Sequence, residues 1–276
     1  MNKFLIIITN IAAILSIIAF IMIISKAKQE NYCHENFNTN GFIPRANGSS
    51  IPALMIISCK KNQKTHHNKF ASKPNTFVVI GDPNMTKLYQ IKFENNVKYL
   101  YVKCKDIYFS LPAKIIMAIE AFNNMPEFSQ YTHFYKIDDD CKIDWNVVKS
   151  GYTPEFLSHI SKNPYSGFLT FDHTGKISNC KRHTKYAYQD PNNYWATNEY
   201  KGNGVKFLRG SHYCLARHLI KDINKIWNSQ NIELLSRTEV GEDVMMGKIC
   251  FMLNHRPSII PLQFLFVVDE FNNKET

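Results

Sequence analysis

Residues 4–24 form an almost unbroken apolar run, interrupted only by Thr9, Asn10 and Ser16 and flanked by Lys3, Lys26 and Lys28. As a helix rising about 1.5 Å per residue, a run of this length matches the roughly 30 Å hydrocarbon layer of a bilayer. A cleaved signal peptide is the competing reading. Its apolar stretch is usually shorter, about 7–15 residues, and ends in a small-x-small site, for which Ser25-Lys26-Ala27 is a poor substitute. The pattern therefore predicts a short tail (residues 1–3), one transmembrane anchor (4–24) and a polar, Asn-rich stalk (25–50) that carries Gly41, Pro44 and Gly48 and shows no sustained period. The basic flanks of the anchor nearly balance, so charge alone leaves its orientation open. No other long apolar run follows, and residues 51–276 are predicted to be one soluble domain.

Within that domain, short apolar runs of buried-strand type occur at residues 51–57, 76–80, 98–102 and 133–137, with a further strand-like segment at 205–208. The second run stops at Gly81-Asp82-Pro83-Asn84, which is strong turn chemistry. Between the third and fourth runs a helix is predicted, with Ser110 as N-cap, Pro112 in its first turn, and Ile115, Ile116, Ile119 and Phe122 at helical spacing. Further helices are predicted over about 215–227 and from the acidic segment that contains Glu242 and Asp243. Strands apolar on both faces that alternate with helices point to an α/β fold with a mostly parallel sheet covered by helices on both sides.

Composition narrows the partners. The 276 residues are 45% hydrophobic, enough for a real core, and 33 basic against 23 acidic residues give a net charge of +10, which favours an anionic partner. Residues 51–120 hold eleven basic and four acidic residues, so +7 of the charge sits there. That stretch includes Lys60, Lys61, Lys64, Lys69 and Lys73, a solvated loop or a cradle for a diphosphate. Nucleic-acid binding would require basic residues interleaved with aromatics, and Phe70 is the one aromatic between Lys60 and Lys73. No P-loop, no Gly-x-Gly-x-x-Gly after a strand and no His-Glu-x-x-His occurs. The seven cysteines are too sparse for a disulfide scaffold.

Two acidic groups are candidates for chemistry. The strand at 133–137 runs directly into Asp138-Asp139-Asp140. Open parallel sheets bind ligands at the carboxyl edge of their strands, and in extended backbone Asp138 and Asp140 share a side and could both face one hard divalent cation. A solvated acidic turn is the alternative. Glu242-Asp243 opens a helix, where acidic residues are favoured by the helix dipole; the functional alternative makes Asp243 a general base. Tyr194 and Trp195, in the irregular stretch 165–204, are candidates for stacking on a sugar ring or for the rim of the core.

Taken in order, these motifs resemble the family 31 glycosyltransferases, the group of beta-1,3-galactosyltransferases, N-acetylglucosaminyltransferases and Fringe-like enzymes. The resemblance rests on residues 133–140 and on Glu242-Asp243-Val244-Met245-Met246-Gly247. It extends to residues 77–81, to residues 106–114 with their Asp-x-Tyr-x-x-Leu-x-x-Lys pattern, and loosely to residues 207–216 through Gly210 and Tyr213. It implies a GT-A type nucleotide-sugar transferase fold, a UDP-sugar donor, Mn²⁺ or another divalent cation, and a glycan or glycoprotein acceptor, with no nucleic acid. It further implies metal binding by Asp138 and Asp140, donor binding by Asp138, Asp139, Lys60, Lys61 and Lys114, and Asp243 as the base of an inverting, beta-1,3-linking transfer of a hexose or N-acetylhexosamine. Tail, anchor and stalk are similar to those of single-pass type II Golgi membrane transferases, which would put the catalytic domain in the lumen. Lysines stand where the family has an Arg-rich segment, and residues 263–270 lack the family's metal-binding His. An inactive relative that serves as a carbohydrate-binding or assembly protein is the alternative.

Overall fold

A computed structural model of the chain describes residues 50–172, 185–197 and 205–269. The predicted anchor and all but the last residue of the predicted stalk lie outside the described residues, as do residues 173–184 and 198–204 of the irregular stretch. No helix among the described residues is long and apolar enough to cross a membrane. All of them belong to one compact unit, Ser49–Thr276.

The strands are β1 (Pro52–Ile57), β2 (Thr76–Gly81), β3 (Tyr89–Glu94), β4 (Val97–Val102), β5 (His133–Asp138), β6 (Cys141–Ile143), β7 (Tyr165–Gly167), β8 (Thr170–Asp172), β9 (Lys206–Leu208), β10 (His212–Ala216), β11 (Ser258–Ile259) and β12 (Val267–Asp269). The helices are α1 (Gln63–Phe70), α2 (Leu111–Asn124), α3 (Trp145–Lys149), α4 (Pro154–Lys162), α5 (Tyr194–Thr197), α6 (Arg217–Ile226), α7 (Ile232–Thr238) and α8 (Glu242–Met252). Eight strands form one sheet in the order β11-β7-β10-β5-β1-β2-β4-β3. Its centre, β5-β1-β2-β4, is parallel, with Leu54 of β1 opposite both Thr76 of β2 and Tyr135 of β5. Every residue of β1 and β2 is buried, as two-sided helical cover requires.

Alternation along these strands divides the core. Met55, Ile57, Phe77, Val79, Leu100 and Val102 face α2, α6, α7 and α8. Leu54, Ile56, Val78, Ile80, Tyr99 and Tyr101 face α1, α3 and α4. Helix α2 is apolar nearly all round because the sheet lies on one side of it and α6 and α7 on the other. Ser110 does precede α2, but its side chain makes no capping hydrogen bond.

The sheet is more mixed than the sequence suggests. β10 runs antiparallel between β5 and β7, and β3 pairs antiparallel with β4. The β3–β4 turn is Asn95-Asn96, both at positive φ (49° and 62°), the conformation of a two-residue hairpin turn that Asn tolerates. That dipeptide was the available sequence signal for the hairpin. The basic stretch is not a loop either: Lys60–Asn62 forms one 3-10 turn and leads into α1, which buries His66 and Phe70 one helical turn apart and leaves Lys64 and Lys69 exposed.

Candidate active site

The carboxyl ends of β1, β4 and β5 open onto a cleft of about 540 Å³, lined among others by Ser58, Lys61, Asn62, Tyr108, Lys114 and Asp138 to Asp140. This is the edge at which an open parallel sheet leaves backbone groups and side chains free for a ligand. Three linked networks shape it.

The first joins the ends of β1 and β4. Asp106 accepts from the Lys114 ammonium at 2.6 Å, from the Lys60 backbone N–H at 2.6 Å and from the Gly81 N–H at 3.1 Å. Lys114 is buried and also donates to the Ser58 carbonyl at 2.7 Å. Lys114 therefore borders the cleft with its ammonium already held by Asp106 and Ser58. The Lys60 backbone belongs to the same latch, while its side chain is exposed and does not line the cleft; exposed Lys61 does line it.

The second network surrounds Asp139. Its Oδ2 accepts from the Ser58 hydroxyl and from Asn62 Nδ2 at 2.8 Å, with His66 Nε2 at 3.8 Å. Burial alone would raise this carboxyl, but His66, Ser58 and Asn62 outweigh it and hold it down to about 2. Asp139 thus stays ionised and secures the turn after β5 to α1, presenting its two neighbours.

The third network brings the two acidic segments together. Lys136, buried in β5, approaches Asp138 Oδ1 at 2.7 Å and Glu242 Oε1 at 2.9 Å, and donates to the Gly210 carbonyl. Asp138 N–H donates to the Ser211 carbonyl at 2.8 Å. Glu242 and Asp243 occupy the first turn of α8, as predicted, and the Asp243 carboxyl lies against Gly210, where an added Cβ would meet Asp243 Oδ2 at 3.3 Å. Burial raises Glu242, with Lys136 pulling the other way. For Lys136, burial would lower the ammonium pKa, but Asp138 and Glu242 outweigh it and keep the group charged. Asp138 is raised by desolvation against the pull of Lys136, although more than a third of its side chain reaches solvent.

A hundred residues apart in sequence, the end of β5 and the start of α8 are therefore joined through Lys136 and the Gly210-Ser211 turn. Asp243 is not among the cleft-lining residues; it packs on Gly210, just before β10. Asp138 and Asp140 lie on one wall. Among the described residues no group of three or more His, Cys, Asp and Glu side chains could hold a metal ion. Two carboxylates on an open wall still suit a hard divalent cation, provided that substrate oxygens and water complete its coordination.

The opposite wall was missed from sequence. Tyr108 stacks on Tyr186 with ring centroids 4.3 Å apart and planes 21° apart, and Tyr188, 73% exposed, lines the same wall. Gln189 accepts from the Tyr108 N–H at 2.8 Å, and Lys105 pairs with Asp190 at 2.7 Å, so residues 185–190 are strapped to the loop after β4. No local pattern connects these two segments; only their tyrosine content hinted at it. Trp195 is a core residue: it is buried, and its indole N–H donates to the Ser236 carbonyl at 3.0 Å. Tyr194 packs edge-on against it. Cys141, Cys214 and Cys250 are buried cysteines outside any disulfide, burial raises the last two, and none lines the cleft.

A search among curated proteins returns no match. A family profile described as Galactosyltransferase matches residues 61–254, which include Asp106 and Lys114 of the latch, the acidic turn after β5 and the whole of α8. The chain belongs to the galactosyltransferase family and is a glycosyltransferase.

Proposed function

We propose that the protein transfers a hexose or N-acetylhexosamine from a UDP-sugar to a hydroxyl of a glycan or glycoprotein, with inversion, through a beta-1,3 linkage and with Asp243 as base. The observation that carries this reading is the contact of Asp243 with Gly210, one residue from the Ser211 carbonyl that holds the end of β5. Neighbouring strands lie about 4.8 Å apart, so the four intervals from β4 to β10 span roughly 19 Å, room for a nucleotide sugar laid along the sheet edge. In that pose the nucleobase meets the Tyr108, Tyr186 and Tyr188 wall, the diphosphate lies between Lys61 and the Asp138–Asp140 turn, and the sugar points toward Asp243.

Asp243 takes the proton of the acceptor hydroxyl as its oxygen bonds to the anomeric carbon and the bond from that carbon to the diphosphate breaks. The UDP leaves on the opposite face, and the configuration inverts. A Mn²⁺ ion held by Asp138 and Asp140 would supply Lewis-acid stabilisation of the leaving diphosphate. Lys114 and Asp139 act by fixing the loops that carry Lys61, Asp138 and Asp140.

The deciding experiment measures UDP release from UDP-galactose, UDP-N-acetylglucosamine and UDP-glucose, with Mn²⁺ and with chelator, against an acceptor library. Release that depends on acceptor is expected with one donor; no turnover with any donor would leave the carbohydrate-binding alternative standing. We also propose that residues 4–24 anchor the enzyme as a type II Golgi membrane protein. The sequon Asn84-Met85-Thr86 lies on an exposed turn after β2, where Asp82 accepts from the Asn84 N–H at 3.0 Å. A lumenal domain should carry a glycan there that Asn84→Gln removes, and carbonate should fail to extract the full-length chain. An unglycosylated, carbonate-extractable chain would sink this placement.

A further inference from the structure

Lys136 lies two residues before Asp138 on β5, with 1% of its side chain exposed. A buried ammonium persists only when its surroundings compensate for lost water, and its partners show what this one is for. Asp138 belongs to the end of β5, the Gly210 carbonyl to the turn between β9 and β10, and Glu242 to the first turn of α8. The Tyr213 ring closes a further side, its centroid 5.7 Å from the ammonium. Each polar contact thus ends on a group that bounds the candidate donor wall or the candidate base: Asp138 itself, the residue next to Asp243, and the glycine on which Asp243 packs.

We propose that Lys136 is a positioning residue, a buried strut whose ammonium ties the Asp138 carboxylate to the start of α8 and so fixes Asp243 relative to the donor. The proposal rests on the reading of Asp243 as base and Asp138 as a donor-side carboxylate. Stability alone would not call for such a group, because well-packed apolar residues commonly replace buried ion pairs at no cost. What an apolar side chain cannot do is hold one oxygen of Asp138 and the second residue of the Gly241-Glu242 helix start at once. Without the ammonium, α8 would retain its apolar packing through Met245, Met246 and Ile249 but lose its polar attachment to β5.

The test uses Glu242→Gln, Lys136→Met and the double variant in the full chain. Three readouts are followed: amide hydrogen exchange of peptides covering 138–143 and 242–252, Mn²⁺-dependent UDP binding, and kcat with donor KM. In Glu242→Gln, a near-isosteric change that keeps Lys136 on Asp138, kcat is expected to fall about 10- to 100-fold, with donor KM within about twofold of wild type. Exchange at the first turn of α8 should rise. Lys136→Met should raise exchange in both peptides and weaken UDP binding as well. The double variant, which leaves one fewer unpaired charge, should regain melting temperature over Lys136→Met but not kcat. A kcat that recovers together with melting temperature, or unchanged α8 exchange in a folded Glu242→Gln or Lys136→Met protein, would overturn the strut. Failure of the wild type to transfer any sugar would overturn the proposed function instead, and the exchange data would still decide whether Lys136 ties the two segments.

Discussion

Three consecutive aspartates do three different things. Asp139 is consumed by Ser58, Asn62 and His66, Asp138 shares one oxygen with Lys136, and Asp140 is exposed on the cleft wall. The reason is local geometry. β5 ends at Asp138, and Asp139 and Asp140 lie in the turn that follows, so the extended backbone expected through all three aspartates stops at the first of them. Asp140→Asn removes one negative charge from the cleft wall while keeping the shape of the side chain, so Mn²⁺-dependent UDP affinity should drop about tenfold, roughly 1.4 kcal/mol, in a protein that remains folded. Calorimetric titration checks this, and wild-type affinity would mean that the turn is only a solvated surface. Asp243→Asn keeps shape and removes basicity. A general base contributes about 10²–10⁴ in rate, so kcat should fall by that factor while UDP binding persists; a wild-type rate would remove Asp243 from the mechanism. The identities of both acidic segments were legible in the sequence, whereas the partners that distinguish Asp138 from Asp139 were not, because Ser58, Asn62, His66 and Lys136 are ordinary polar residues until the fold brings them there.

At the scale of elements, the position of α8 depends on a close crossing over β9. A Cβ on Gly247 would lie 2.9 Å from the Lys206 carbonyl oxygen and 3.0 Å from Phe207 Cα, and closer still to Phe207 Cβ. Backbone cannot yield as a side-chain tip can, so Gly247→Ala must push the helix off the strand, at a cost of about 1–3 kcal/mol. Because Asp243 rides on the same helix, kcat should fall in the protein that remains folded. Denaturant melts with parallel rate measurements would show it, and an unaltered melt would mean that α8 has room to move. The parallel strands and the long apolar helix α2 could be predicted because the strands are short continuous apolar runs and the helix repeats Ile115, Ile116, Ile119 and Phe122 at helical spacing. The basic helix α1 could not: it has only His66 and Phe70 on its buried face, too few apolar positions to stand out against a run of lysines. β10 escaped notice because its residues, His212 to Ala216, form a short buried strand that flows directly into α6, and periodicity does not fix the border between a buried strand and a helix.

For the whole molecule, pH is the sharpest probe of how deeply the sheet is buried. His133 and His212 stand on adjacent antiparallel strands, and burial lowers them from 6.5 to about 4 and about 3. A neutral imidazole that resists protonation in the native state takes up a proton on unfolding, so the stability these groups provide is complete above pH 6.5 and declines as pH falls toward 4 and then 3. The melting temperature should therefore decrease steadily from pH 6.5 to about 5, above the range near 4 in which exposed carboxylates titrate. Replacing His133 with Gln should flatten the upper part of that decline; a melting curve flat down to pH 5 would show that both rings reach water in the folded protein.

The buried character of the central strands, the apolar N-terminal run, the family motifs and the concentration of positive charge in residues 51–120 follow from the sequence alone, since each is a property of contiguous residues or of their order. The tertiary structure decided which carboxylates face the cleft, that Lys114 and Asp106 latch it, that Lys136 connects β5 to α8, and that three tyrosines form the far wall. These are contacts between segments up to about a hundred residues apart, and no period or spacing encodes them. They arise when the sheet places the ends of β1, β4, β5 and β10 along one edge, where side chains that are remote in sequence come within hydrogen-bonding distance.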